Sequence, residues 1–296
     1  MTASTTPLPA PPRALVRTSR DRRRSFVDRA FRGLALGATI LGIIPLFAII
    51  AFVVINGIQA LNLDLITKGT KALGVGGGAL GAILGSLQMV GLATLMAVPL
   101  GILAGVYVNE FSSRRSARSI RFAADVMVGV PSILIGIFVY TILVLPFRQY
   151  NAFAGAVSLA VIMIPVIMRT TEEILKIVPG TLREASLSLG VPVWRTVLSV
   201  VIPTGLAGIL TGLMLAIARA AGETAPLLFT ALGSRLVNVG DFSRPMDALP
   251  LFIYNNARQP YEALNQQAWG AAFLLLLFVL TVNVLVRYRT WGRRAG

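Results

Sequence analysis

The sequence predicts an all-α membrane protein with six transmembrane helices and with both termini on the cytoplasmic side. Hydrophobic residues make up 55% of the 296 positions. They are concentrated in long runs that short charged segments separate, and a helical run of about 20 apolar residues crosses the hydrocarbon core of a bilayer. This pattern excludes a single soluble domain.

Six apolar runs are long enough, or nearly so, to span a membrane. They lie at residues 34–55, 80–107, 122–145, 152–168, 204–222 and 268–286. The fourth run is short, and the fifth is interrupted at Gly222 and Pro226 before further apolar residues follow. A broken helix or a re-entrant segment is therefore an open alternative there. Three prolines within the runs predict kinks, namely Pro99, Pro131 and Pro165.

Basic residues are unevenly distributed between the runs. Most of the 27 arginine and lysine residues fall in the two terminal segments and in the segments after the second and fourth runs. Because basic residues are retained on the cytoplasmic side of a membrane, these segments are predicted to be cytoplasmic. The net charge of +15 therefore does not indicate a nucleic-acid partner.

These assignments divide the chain into four parts. Residues 1–32 are rich in proline and arginine, and they predict a disordered cytoplasmic tail held near anionic lipid head groups. Residues 33–75 contain the first span and an external loop. Residues 76–286 contain the other five spans and a cytoplasmic segment at 169–203, and residues 287–296 form a second basic tail.

The composition excludes several kinds of catalytic and metal site. The chain has no cysteine and no histidine, which excludes Cys/His zinc sites, haem bound through histidine, Ser-His-Asp triads and cysteine nucleophiles. The dipeptide Gly-Lys of a phosphate-cradling ATP-binding loop is also absent. We therefore predict no enzyme activity, no metal and no cofactor in this chain, with any ATP bound by partner subunits.

A glycine cluster precedes the second run, at Gly74, Gly76, Gly77 and Gly78. It lacks the Lys-Ser/Thr ending of a phosphate-binding loop. Because glycine adopts many backbone conformations, the cluster predicts a flexible external segment.

The cytoplasmic segment 169–203 predicts short amphipathic helices, because Pro179-Gly180, Gly190 and Pro192 interrupt it. The second of these helices contains several small residues, which leave one face slim enough to enter a groove on another protein. An ordinary connector lying on the membrane surface is the alternative. Thr181 has the capping-box spacing to Glu184 and predicts the start of that helix.

The same segment resembles the EAA signature of ABC importer permeases. The matching residues are Glu184-Ala185-Ser186, Gly190, Val200 and Ile202-Pro203, with Ser186, Val200 and Ile202 standing for residues of similar size or polarity. In that family this region is a coupling helix that sits in a cleft of a separate ATPase subunit. The resemblance implies a MetI-like permease core in which Glu184, Ala185, Ser186 and Gly190 contact the ATPase.

Arg219 and Glu223 are charged residues at the end of the fifth run, four positions apart. Charges within a span are costly and usually face a cavity or a partner. A pair that merely neutralises itself is one interpretation. The other is a substrate pathway, because the planar guanidinium group matches the oxygen atoms of phosphate or another oxyanion.

The residues around this pair resemble the PstA-type permease subunits of bacterial phosphate ABC importers. The match runs from Arg219 through Gly222-Glu223-Thr224-Ala225-Pro226-Leu227, and Val130-Pro131-Ser132 matches as well. The resemblance implies an inner-membrane protein with Arg219 and Glu223 on the phosphate pathway. It also implies a second, PstC-type permease subunit, two ATPase subunits and an external phosphate-binding protein. Sulfate or molybdate as the substrate remains an alternative, as does an ATP-independent carrier or channel.

Two further predictions concern charged residues. Asp125 follows Arg121 by four positions, which predicts an ion pair at a helix end. The segment of about 45 residues between the last two spans carries charges of both signs. It predicts either a docking surface for the binding protein or an ordinary solvated loop. Its charged residues include Arg235, Asp241, Arg244, Asp247, Arg258 and Glu262.

Overall fold

The computed structural model describes residues 19–71 and 77–291. Within these residues the regular structure is helical apart from an isolated β-bridge between Leu232 and Met246. The α-helices are, in chain order, α1 (Ser19–Ala60), α2 (Leu63–Thr67), α3 (Leu80–Val106), α4 (Arg114–Gly129), α5 (Ser132–Val139), α6 (Ala152–Ile177), α7 (Gly180–Ser188), α8 (Val193–Thr196), α9 (Ile202–Ala221), α10 (Ala225–Thr230), α11 (Leu249–Ala257) and α12 (Glu262–Trp291). Single π-helical turns extend α3, α5 and α8, at Tyr107–Phe111, Tyr140–Val144 and Val197–Val201. The predicted all-α class is confirmed.

Five helical stretches of the described chain are long and apolar enough to cross a membrane, and α4 with α5 form a sixth crossing if they count as one span. These two helices are bent by 99° relative to each other. The bend lies at Val130 and Pro131, whose backbones are extended with ψ of 129° and 130°. Proline lacks an N–H and disfavours helical backbone in the preceding residue. The predicted third span is therefore a bent pair and not one helix.

The other two prolines that predicted kinks lie in unbroken helices. Pro99 is inside α3 and Pro165 is inside α6. Neighbouring groups in a helix bundle accommodate a proline without ending the helix. Of the three prolines, only Pro131 therefore coincides with a helix break.

The described residues divide into two compact units, the first ending at Phe52 and the second beginning at Val53. In the first unit, every side chain described between residues 23 and 52 is exposed. An apolar helix that is exposed on all sides is typical of a span surrounded by lipid or by other proteins.

The terminal helices are longer than predicted. Helix α1 begins at Ser19, inside the segment 1–32 that was predicted to be a disordered tail, and residues 1–18 lie outside the described residues. Helix α12 continues to Trp291, within the predicted basic tail 287–296. Arginine is compatible with helix, so the end of an apolar run does not mark the end of the helix.

Two central helices also extend beyond their predicted limits. Helix α6 continues to Ile177, and the helical stretch that contains α8 and α9 begins at Val193. Of the segment 169–203, only α7 and its flanking residues form a separate element. The break predicted at Pro179-Gly180 is present just before α7.

The core of the second unit forms where α3 packs closely against α6. A Cβ atom at Gly101 would lie 2.7 Å from Cβ of Ile167, and one at Gly105 would lie 2.7 Å from the carbonyl oxygen of Met168. Small residues of this kind let two membrane helices approach closely. Larger buried side chains complete this core, including Met89, Leu159, Met163, Leu227 and Leu251.

The segment between α9 and α12 folds back into this core and is not an ordinary solvated loop. Leu227 is 2% exposed, Leu251 is fully buried and Phe252 is 2% exposed. The segment is held to α3 and α6 by hydrogen bonds from Leu249 N to Ser86 Oγ (2.7 Å) and from Ala152 N to Arg244 O (2.9 Å). The solvated-loop alternative is wrong for this buried part.

The described part of the glycine cluster is packed. Gly78 is buried, and its N–H donates to the carbonyl oxygen of Gly69 at 3.1 Å. A Cβ atom at Gly78 would lie 2.7 Å from the carbonyl oxygen of Leu65. Gly78 therefore permits a close backbone approach and does not form a flexible segment. Gly74 and Gly76 lie outside the described residues.

Candidate functional site

Arg219 lies in the last turn of α9, which ends at Ala221. The chain then turns, with Gly222 N donating to Arg219 O at 3.1 Å and Glu223 N donating to Ala220 O at 3.2 Å. Helix α10 begins shortly afterwards with a proline in its first turn, a position where proline needs no hydrogen-bond acceptor. The predicted interruption of the fifth apolar run is therefore present, between Ala221 and Ala225.

The side chains of Arg219 and Glu223 form a loose ion pair. Nε of Arg219 is 3.6 Å from Oε1 of Glu223, which is longer than a hydrogen bond. The Arg219 side chain is 43% exposed and the Glu223 side chain is 16% exposed. The guanidinium N–H groups therefore remain available to an additional oxygen ligand.

Arg219 belongs to an exposed stripe along α9. Thr204, Thr211, Leu215, Arg219 and Gly222 are all exposed. Their spacing places them on one face of the helix, given about 100° of rotation per residue. The opposite face is buried in the core through Ala216 and Ala220. This α9 stripe presents two hydroxyl groups and one guanidinium group on an otherwise apolar helix.

Helix α7 carries the first three residues that resemble the EAA signature, Glu184, Ala185 and Ser186, and Gly190 follows the helix. Glu184, Ala185 and Gly190 are exposed. Gly190 has φ of +78°, and nothing lies within 4 Å of a Cβ atom built on it. Glycine favours this left-handed conformation, so Gly190 sets the chain direction after α7. The predicted cap is absent, since the residue before α7 is Pro179 and no side chain caps the helix.

Ser186 differs from the other three predicted ATPase contacts. It is 8% exposed, and its hydroxyl group is 2.8 Å from that of Thr196 in α8. The side chain therefore fastens α7 to α8 and does not form part of the exposed surface. This placement disagrees with a direct contact between the Ser186 side chain and a partner protein.

Large exposed apolar side chains lie at the end of α7 and on either side of it in the sequence. We call Ile177, Leu187, Leu189, Val193 and Trp194 the apolar collar, and each is exposed. Leu189 is 84% exposed and Trp194 is 58% exposed. Large exposed apolar side chains close together in the sequence, next to a short exposed helix, are typical of a protein interface. The sequence predicts α7 as a contact element, and the collar was not part of that prediction.

A buried carboxylate joins α4 to α6 near the same end of the bundle. Glu172 is fully buried, and it pairs with Arg121 (2.5 Å), Arg169 (3.1 Å) and Lys176 (2.5 Å). The predicted pair of Arg121 with Asp125 is absent, because Asp125 pairs instead with Arg169 at 2.9 Å. The i, i+3 and i, i+4 spacings of Arg169, Glu172 and Lys176 are the sequence signal that predicts this charge cluster.

Asp247 is a second buried carboxylate, in the segment between α10 and α11 and outside the membrane-spanning helices. It is 7% exposed. Burial raises the pKa of its carboxyl group to about 7, although a hydrogen bond from Ala248 N opposes that rise. Its predicted place on a solvated or docking surface is wrong, because the segment packs into the core.

Comparison with known proteins identifies the family. Residues 97–289 match the family described as "Binding-protein-dependent transport system inner membrane component". The phosphate transport system permease protein PstA of Pasteurella multocida is 42% identical over 265 residues, with 89% of this chain and 94% of the relative covered. PstA of Haemophilus influenzae is 41% identical over 261 residues, with 88% of this chain and 92% of the relative covered.

Solved structures show the same fold. A chain of the MetNI methionine ABC transporter in an inward-facing conformation matches with a TM-score of 0.58 at 16% identity, covering 72% of this chain and 94% of that chain. At this identity the likeness concerns the fold alone, and it confirms the predicted MetI-like permease core. From the family match and the relatives at about 40% identity, we conclude that this chain belongs to the binding-protein-dependent inner membrane components and, among them, to the PstA group.

Proposed function

We propose that this chain is the transmembrane subunit of an ATP-driven phosphate importer in the bacterial inner membrane. The observation that carries the proposal is identity above 40% with phosphate permeases over nearly the whole chain. As a permease subunit the chain moves its substrate and catalyses no reaction. It pairs with a second, PstC-type permease subunit, and an external phosphate-binding protein delivers the anion.

Arg219 is the residue proposed to meet phosphate in the passage between the two permease subunits. It lies on the exposed α9 stripe, and its fork of N–H donors matches the oxygens of a tetrahedral anion. Glu223 stands close enough to compete electrostatically and too far away to form a hydrogen bond. A contact of this kind favours transient binding, which a transport pathway needs for release.

ATP is proposed to act through α7. Two separate ATPase subunits bind the nucleotide, and each permease subunit inserts its α7 region into one of them. The polar part of this contact is Glu184, and the small residues Ala185 and Gly190 allow a close approach. The apolar collar contributes the apolar surface that becomes buried in the interface. Ser186 contributes by holding α7 against α8. Closure of the ATPase pair then moves α7 and reorients the helices around the passage.

The test uses the complete complex in proteoliposomes with its binding protein. We expect phosphate-loaded binding protein to stimulate ATP hydrolysis and phosphate uptake, and sulfate-loaded or molybdate-loaded binding protein to stimulate neither. If only sulfate-loaded or molybdate-loaded binding protein stimulated hydrolysis and uptake, that anion and not phosphate would be the substrate. If this chain took up phosphate without any ATPase, it would be a carrier or channel and not a subunit of an ATP-driven importer.

A further inference from the structure

We propose that Arg183 is the positioning residue that transmits the movement of α7 to α3 and α6. This inference rests on the proposed function and concerns how the chain receives mechanical work. The observation behind it is a guanidinium group, next to the EAA-like residues, that contacts the ends of two core helices, α3 and α6. Arg183 itself is not among the residues proposed to contact phosphate or the ATPase.

The Arg183 side chain makes four hydrogen bonds. Its Nη2 donates to Oε1 of Glu110 at 2.8 Å and to the carbonyl oxygen of Leu175 at 2.9 Å. Its Nη1 donates to the carbonyl oxygen of Val178 at 2.8 Å, and its Nε donates to Oε2 of Glu110 at 3.3 Å. A lysine has a single ammonium group and cannot reproduce this planar, forked arrangement.

Each partner of Arg183 belongs to a structural element other than α7. Glu110 lies in the π-helical turn that ends α3, while Leu175 is in α6 and Val178 immediately follows it. The last carbonyl groups of a helix have no partner within that helix, so Arg183 also caps α6. One side chain therefore fixes the start of α7 to the ends of both core helices.

The ion pair is largely removed from solvent. The Glu110 side chain is 9% exposed and that of Arg183 is 24% exposed. Asn109 donates a further hydrogen bond to Oε1 of Glu110 at 2.6 Å. Because hydrogen bonds between ionised groups are strong and directional, the link resists both stretching and rotation.

Arg183 and Ser186 connect α7 to different helices. Ser186 joins α7 to α8, which continues into α9 and the exposed stripe with Arg219. Arg183 joins α7 to α3 and α6, which form the core. A displacement of α7 is therefore passed to both sides of the bundle. Loss of the Arg183 link removes the contact with α3 and leaves α7 joined to α6 only through the backbone at Val178-Pro179, while the contact with α8 remains. ATP would then be hydrolysed with little reorientation of the passage.

The test measures phosphate transported per ATP hydrolysed by the complete complex in proteoliposomes. We expect Arg183→Gln to copurify with the ATPase and to hydrolyse ATP while this ratio falls about tenfold. Arg183→Lys keeps the charge opposite Glu110 and should restore the ratio partly. Arg118→Gln removes an equal charge from an exposed side chain of α4 and is the matched control, with an unchanged ratio.

A merely structural role would lower the amount of complex, or lower transport and hydrolysis in the same proportion. An unchanged ratio in Arg183→Gln would therefore overturn the inference. If that variant fails to assemble, the ratio is measured for Glu110→Gln instead. Glutamine has the shape of glutamate, and Arg183 keeps its hydrogen bonds to the carbonyl oxygens of Leu175 and Val178. A lowered ratio in Glu110→Gln supports the inference and an unchanged ratio overturns it. A wild-type complex that does not couple ATP to phosphate would refute the proposed function instead.

Discussion

Nε of Arg219 lies 3.6 Å from Oε1 of Glu223, close enough for electrostatic attraction and too far for a hydrogen bond. The helix ends between the two residues, at Ala221, and a turn at Gly222 leads to Glu223. The pair thus occupies a helix end on an exposed stripe, where an anion can approach the guanidinium group. This arrangement differs from a buried pair that neutralises itself.

The first prediction concerns Arg219. We expect Arg219→Ala to insert and assemble normally while phosphate uptake falls at least about a hundredfold, because the variant loses a charged hydrogen-bonding group at the passage. Arg219→Lys should retain part of the uptake. The measurement is initial uptake of radiolabelled phosphate together with the amount of complex. Normal uptake by Arg219→Ala would show that Arg219 serves only as a structural counter-ion of Glu223.

The second prediction concerns Gly190, whose φ of +78° is unfavourable for other residues. We expect Gly190→Ala to distort the chain after α7, at a cost of about 1 kcal/mol, and to reduce uptake severalfold. Gly180→Ala is the control, since a Cβ atom there also meets open space but the backbone has ordinary φ. Equal uptake by the two variants would contradict the role of the Gly190 backbone.

The third prediction concerns Glu172, which three basic side chains surround. Glu172→Gln removes the negative charge that neutralises these three basic side chains, which then repel one another. Because the three cations are partly exposed, we expect the free energy of unfolding to fall by about 2 kcal/mol, the magnitude for hydrogen bonds to a charged group, and the thermal midpoint in detergent to fall with it. The neighbouring and exposed Glu173 provides the control Glu173→Gln, which should leave the midpoint in place. A midpoint that drops equally in both variants would rule out a special role for Glu172.

The fourth prediction concerns the pH dependence of stability. Burial raises the pKa of Asp247 to about 7, so the folded chain keeps a proton that the unfolded chain loses near pH 4. The contribution of Asp247 to stability is therefore fully present below about pH 4 and is lost as pH rises through about 7, by at most about 4 kcal/mol.

The measurement is the thermal midpoint between about pH 5 and pH 8. We expect Asp247→Asn to flatten the decline of the wild type, because an amide resembles the protonated acid. Asp241→Asn is the control, because a hydrogen bond from Ser243 holds the pKa of the Asp241 carboxyl group below its ordinary value. The same slope in wild type and Asp247→Asn would contradict this assignment.

Hydropathy predicted six spans, and the described chain has five continuous candidate spans and one bent pair at the position of the third, because lipid selects for long apolar runs. It did not predict the bend at Pro131, since Pro99 and Pro165 give the same sequence signal inside continuous helices. It also ended the fourth span too early. Arg169 and Glu172 belong to α6 because their charges are paired within the bundle, and a hydropathy average does not register such pairing.

The candidate site was predicted in part for a related reason. The position of Arg219 and the short helix α7 follow from local motifs. The contacts of Arg183 with Glu110 and of Arg121 with Glu172 join residues distant in the chain, and no periodic pattern signals them. Asp247 was predicted to be a loop residue because its segment contains prolines and charges. Only the packing of that segment shows that Asp247 is buried.

The most direct test of the account is copurification of the tagged chain from membranes in mild detergent. We predict that an ATPase subunit and a second permease subunit accompany the wild-type chain. Leu189→Glu places a charge in the apolar collar and should remove the ATPase while the second permease remains. Leu236→Glu, at a leucine that is 77% exposed in the predicted external segment, should retain both. A chain that purifies without an ATPase and still transports phosphate in vesicles lacking ATP would contradict the account.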